Sequence, residues 1–297
     1  MILRVRVYIE LASSTRMECL ADESRSVVLD PIILRVVNKI RFTMYHTVVG
    51  TLLLVIFSGS SFALPSLYTR ASGSHVTNSE AFKTGAGNNH NSNIYDGTGK
   101  AGTDTYKCYY GGWENFPPSS EWVEFDAMWD YTKRAIQSGC GDIGISPDDS
   151  EEQIGQIWNA IQQVAINSLV DHRYILATIM QESTGCVYVD TTIDSDGEPN
   201  PGLMQSADGV SYNPSNSQSS ITQMVKDGTQ GTYSGSSCLV QSINKFGNIY
   251  SAARYYNSGE VDSSDLNNGE GSTDSYVNDI ANRMTGWLYA PSKFDNC

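Results

Sequence analysis

Positive charge is scarce in this chain: 19 Lys and Arg stand against 33 Asp and Glu, and no basic run is longer than Lys133-Arg134. Binding to nucleic acid or to an anionic lipid surface by counterion release is therefore not expected. The same shortage removes the attraction by which a basic protein approaches an anionic bacterial wall, so a neutral polysaccharide is the better-matched partner. Histidine is also rare, with only His46, His75, His90 and His172 to supply a triad or a zinc site. There is no Cys-x-x-Cys pair, no Gly-x-Ser-x-Gly elbow, no His-Glu-x-x-His helix and no phosphate loop. Those gaps exclude the common metal, serine-hydrolase and nucleotide chemistries, and neither metal nor cofactor is expected. No Asn-x-Ser/Thr acceptor with x other than Pro occurs, internal repeats are missing, and alternating strand patterns are few.

Long apolar runs are missing too. The longest, Thr47 to Phe57, follows Arg35, Lys39 and Arg41 and is followed by Ser61-Phe62-Ala63, the charged, apolar and small-residue order of a secretory signal. Its apolar core is well short of the ~20 residues that span a bilayer, so a cleaved signal over residues 44–63 is expected rather than a membrane anchor. Residues 1–43 then form an upstream extension. Beyond the signal lie Cys108, Cys140, Cys186, Cys238 and Cys297. In a secreted chain these predict disulfides, two at most, with one thiol left over and the pairing open. Residues 64–106 are rich in Gly, Ser, Thr and Asn, a composition expected of a disordered linker. Aromatic density then rises at Tyr109, Tyr110, Trp113, Phe116, Trp122, Phe125 and Trp129, placing the folded domain at 107–297.

The periodicity of that domain predicts a mainly α fold. Glu121 to Gln137 carries apolar residues at helical spacing. Ser150 and Gln153 form a capping box ahead of a second helix, and Asp171 caps a third, His172 to Ser183, that Gly185 helps to end. Further helices are expected at Ile221 to Asp227, Cys238 to Phe246, Ile249 to Asn257 and Ser275 to Trp287. Val187 to Thr192 is the best strand candidate.

Within the third helix, Ile175, Ile179 and Glu182 sit at i, i+4 and i+7, on one stripe. A carboxyl sharing an apolar stripe is partly desolvated. Desolvation raises its pKa, and a Glu protonated near neutrality can donate a proton to a glycosidic oxygen. A lone Glu at a helix end is ordinarily just solvated, so its neighbours carry the argument. Three motifs occur in order: Gln181-Glu182-Ser183, then Asn200-Pro201-Gly202-Leu203-Met204-Gln205-Ser206, then Ala252-Ala253-Arg254-Tyr255-Tyr256-Asn257-Ser258-Gly259.

In that order the motifs resemble glycoside hydrolase family twenty-three, the goose-type lysozymes and soluble lytic transglycosylases, and most closely secreted fungal proteins with such a domain. The resemblance covers roughly Trp113 to Trp287. It implies a lysozyme-like helical fold with a small β element beside a saccharide cleft. It also implies that Glu182 is the general acid and that Ser183, Met204, Gln205, Tyr256 and Asn257 line the cleft. On chemistry alone, Tyr256 suits a hydrogen bond to the carboxyl, and the amides of Gln205 and Asn257 suit sugar groups.

Inverting hydrolysis also needs a base ~6.5–9.5 Å from the acid. The resemblance to goose-type lysozymes, in which an Asp ahead of the Gly-Leu-Met-Gln motif and another just after it position water, implies that role for Asp196, with Asp194 as a rival, or for Asp208, one residue further along than the family pattern. Asp194-Ser195-Asp196-Gly197-Glu198 also looks like part of a calcium loop but lacks the later ligands, so an acidic turn is the reading adopted. The expected activity is cleavage of β-1,4 bonds in N-acetylhexosamine polymers, first of all peptidoglycan. The alternatives are transglycosylation to anhydro-muropeptides, chitin cleavage, and a glycan-binding wall protein without turnover.

Overall fold

The computed structural model of the protein describes residues 74–102, 105–194, 197–232, 237–287 and 292–297. The upstream extension, the signal segment, Cys19, residues 64–73 and Asp196 lie outside the described residues. The described chain is mainly helical: α1 Ser79–Thr84, α2 Phe125–Asp142, α3 Glu151–Ser168, α4 His172–Ser183, α5 Ser217–Gln230, α6 Leu239–Phe246, α7 Ile249–Ser258 and α8 Tyr276–Met284. Strands β1 Thr192–Ile193 and β2 Pro199–Asn200 pair antiparallel, Thr192 with Asn200 and Ile193 with Pro199.

Local signals set most helix ends. The Ser150 hydroxyl accepts from the Gln153 amide while the Gln153 side chain accepts from the Ser150 amide (2.7 Å), a complete capping box for α3. Asp171 accepts from the Arg173 amide to open α4, and Thr184 closes it in the left-handed region at φ 55°. The odd cysteine has a similar use: Cys238 stays a buried thiol whose sulfur caps α6 by accepting from the Gln241 amide. Two disulfides form, Cys108–Cys297 and Cys140–Cys186.

Helix α4 is the centre. It packs against α2, α3, α5 and α8, and ten of its residues are buried, from His172 to Met180 and at Ser183. Only Gln181 and Glu182 keep partial exposure. A helix apolar on all sides belongs inside a core. The helix therefore runs through the interior and surfaces at its last turn.

Two expectations are corrected. The segment read as a disordered linker is folded where it is described: 74–102 contains α1, and Val76, Ala81, Ala86 and Asn91 are buried. Composition misled because this segment docks chiefly through polar groups. The Asn91 amide donates to the carbonyls of Asn88, Ala165 and Val170 (2.9–3.0 Å), satisfying the corner between α3 and α4. At Gly97 the chain runs so close to Val123 and Glu124 that a Cβ would stand 2.4 Å from their backbone. The second correction concerns Val187 to Thr192, where only Thr192 is in a strand. Its apolar residues mark an anchored turn: Cys186 is bridged to Cys140, and the Val187 amide donates to both oxygens of buried Asp149 (3.2 Å each).

Asn91→Ala leaves buried carbonyls without donors and is expected to destabilise the domain by about 2–4 kcal/mol in urea unfolding. An unchanged unfolding midpoint would return the segment to linker status.

Candidate active site

The three motifs meet at one backbone turn. Ser183 Oγ, at the end of α4, donates to the Leu203 carbonyl (2.8 Å), and Tyr256 Oη, in the last turn of α7, donates to the next carbonyl, that of Met204 (2.7 Å). The turn itself needs Gly202, which sits at φ 81°, where a Cβ would lie 2.6 Å from the Val210 carbonyl oxygen. On the far side the turn presses onto α5, where a Cβ at Gly228 would be 2.4 Å from that of Met204.

Glu182 is half-buried at the mouth of this assembly. Its Oε1 accepts a 2.5 Å hydrogen bond from Tyr276 Oη, at the start of α8. Burial pushes its carboxyl up to about 7, and the Tyr276 bond, which favours the charged form, pulls the other way. Tyr174, Tyr256 and Tyr276 have their phenols raised first by burial and next by the Glu182 charge, so three tyrosines share its field. The hydroxyl of Tyr174 is buried with no protein partner.

Helix α8 is clamped so that Tyr276 stays in place. Gln181, beside Glu182, donates to Asp279 (3.4 Å) and accepts from Arg283 Nε (3.1 Å). Asp279 accepts in addition from Tyr106 (2.7 Å) and Ser275 (2.8 Å). Arg254 of the third motif is fully buried; it donates to the Thr273 carbonyl (3.0 Å), three residues before Tyr276, and to Asn257 Oδ1.

Several expected roles change. Tyr256 does not hold the carboxyl; it braces the turn, and Tyr276 takes the part assigned to it. Ser183 is buried with its hydroxyl engaged, and the Met204 side chain is buried against α5, its sulfur accepting from Thr229 (3.6 Å), so neither is placed to touch a sugar. Gln205 has its amide donating to Gly202 and Asp190 and accepting from Thr192, which ties the turn to β1. Asn257 has its carbonyl oxygen taken by Arg254, leaving the Nδ2 group for a ligand.

Of the second carboxylates, Asp208 is exposed in the left-handed region at φ 56°, and Asp194 accepts from the Glu198 amide to close the β1–β2 turn. The shift at Glu182 has two causes, burial and Tyr276, and neither is a carboxylate. The sequence marked the helix of Tyr276 without singling out the tyrosine, because its importance comes from 94 residues of separation closed by folding.

A hollow of about 620 Å³ lies by Asn88, Asp96 and Arg173, at the opposite end of α4. Glu182 is nine residues further on, roughly 14 Å along the axis. This hollow and the Glu182 carboxyl are therefore separate features. Cys140, Asp149 and Cys186 are the one grouping of possible metal donors among the described residues, but the two sulfurs share a disulfide and offer no thiolates. Comparison of the chain with protein-family models, curated proteins and solved structures gives no match.

Tyr276→Phe removes a donor to the charged carboxyl. The pKa of Glu182 is expected to rise by about one unit above its native value, read by carbon-13 NMR titration of labelled glutamate. A fall, or no movement, would remove Tyr276 from the site.

Proposed function

We propose that this chain is a secreted glycosidase that cleaves β-1,4 bonds in N-acetylhexosamine polymers, peptidoglycan first among them, with Glu182 as general acid. The observation that carries this reading is a half-buried carboxyl that keeps its proton up to about pH 7, at the junction of three motifs far apart in sequence. Such a group can protonate a glycosidic oxygen as the bond to it breaks, which is the demand glycoside cleavage makes of its acid. Tyr276 fixes the direction in which the carboxyl faces. Tyr174, fully buried with its hydroxyl unpartnered, adds a polar group within the field of Glu182. The lysozyme-like form of the helical domain belongs to this same reading.

Secretion fits two disulfides, which persist in oxidising compartments, and among the described residues no helix is long and apolar enough to cross a membrane.

Lytic transglycosylation is the second reading, favoured by one specific observation. Among the described residues the causes of the Glu182 shift are burial and Tyr276, with no carboxylate between them, and a reaction in which the substrate's own hydroxyl attacks needs only one Glu. Hydrolysis would assign water positioning to Asp208 or Asp196.

Mass spectrometry of soluble products from peptidoglycan and chitin separates these outcomes: reducing ends for hydrolysis, anhydro ends for transglycosylation. Glu182→Gln is expected to lower product formation at least about 100-fold. Products from neither substrate would leave only the glycan-binding reading. The acid must be protonated to act, so native turnover is expected to fall as pH rises through about 7. In Tyr276→Phe that limb should move to higher pH, together with the carboxyl.

A further inference from the structure

A second hollow, about 460 Å³, opens between the start of α3, the anchored turn after α4 and the segment leading into α5. Its volume falls in the ~300–1,000 Å³ range of small-ligand sites. Two of its walls are tyrosines, Tyr188 and Tyr212, with ring centroids 5.0 Å apart and planes at 80°. A single amide, Gln153 Nε2, donates to both hydroxyls (2.8 Å each), and Tyr212 Oη also pairs with Ser217 Oγ (3.0 Å). The rings are thus held in place without a ligand, so little rotamer freedom is lost when one binds.

The rim of the hollow is anionic. Asp148 and Glu152 are both exposed there, and their partners are uncharged: the Gly141 amide (2.8 Å) and the Gln156 side chain (3.1 Å). Among the described residues no Lys or Arg forms an ion pair with either. Between Arg173 and Lys226 the sequence holds no Lys or Arg at all, while Glu182, Asp190, Asp194, Asp196, Glu198 and Asp208 fall in that stretch. A wall of one sign concentrates ligands of the other.

The hollow is coupled by chain to the Glu182 site. Tyr188 follows Glu182 by six residues, through the Cys140–Cys186 bridge and the Asp149–Val187 clamp, and Tyr212 follows Gln205 by seven.

We propose that the Tyr188–Tyr212 hollow is a subsite for a hexosamine unit bearing a free ammonium group, so that among N-acetylhexosamine polymers partly deacetylated ones are preferred to fully acetylated ones. The rings pack on the apolar face of the sugar and Asp148 and Glu152 face its ammonium. The assignment to a sugar rests on the glycosidase reading; the preference for a cation rests on the hollow itself.

The test is calorimetric titration of the full chain carrying Glu182→Gln with glucosamine hexamer, its fully acetylated counterpart and hexalysine, at mildly acidic pH. The glucosamine hexamer is expected to bind about tenfold more tightly than the acetylated one. Tyr212→Ala is expected to weaken it about tenfold, and Tyr212→Phe, which keeps the ring, to retain most of the affinity. Asp148→Asn with Glu152→Gln is expected to erase the preference. Equal or tighter binding of the acetylated hexamer, or indifference to all of these substitutions, overturns the subsite. Tighter binding of hexalysine overturns its assignment to a sugar. Turnover by the native chain separates the two proposals: Glu182-dependent products without a preference retain the glycosidase and reject the subsite, and selective binding without products does the reverse.

Discussion

The burial of α4 on every side is the constraint from which the rest follows. A helix enclosed by α2, α3, α5 and α8 has no solvent face on which to place a carboxylate, so a Glu is tolerated only where the helix leaves the core. Glu182 occupies that point. Its proton affinity results from its position: close enough to the interior to lose hydration, open enough to reach a ligand. Had the helix ended one turn earlier, the same residue would be an ordinary surface carboxylate.

Two consecutive carbonyls, those of Leu203 and Met204, then bind the remaining motifs to this helix end. The donors are a serine next to Glu182 and a tyrosine from α7, so the turn between them is fixed from both sides. This gives a physical reason for residues that a list of site positions would treat as ligand contacts. Ser183, Met204, Gln205 and Tyr256 have their polar groups engaged within the protein and build the frame. The groups not so engaged are fewer: Glu182 Oε2 and the Asn257 amide nitrogen, both on partly exposed residues. An arrangement with most members in supporting roles keeps the Glu182 carboxyl oriented without a ligand.

The segment 74–102 shows the same economy on the other side of the molecule. It contributes little apolar surface, yet Asn91 meets three carbonyls at the corner before α4, and Asn88 donates to both Asp96 and Asp171. Asp171 in turn caps α4 and pairs with Arg173 (2.8 Å). The entry of the central helix is thereby built from polar contacts, as its exit is.

By itself the sequence determined where the helices of residues 107–297 lie and how two of them, α3 and α4, begin. The capping box at Ser150, the cap at Asp171 and the spacing of Ile175, Ile179 and Glu182 are local patterns, and local hydrogen bonding obeys them. It also singled out Glu182, because the three motifs that follow one another in order set that residue apart from an ordinary helix-end carboxylate. Tertiary structure alone decided what the periodicity does not encode. Which tyrosine meets the carboxyl, whether Met204 faces a ligand or the core, which cysteine stays a thiol, and that a Gly- and Asn-rich segment folds at all are contacts between positions up to 189 residues apart. Such pairings depend on how helices pack, and a single chain read in order carries no measure of that distance.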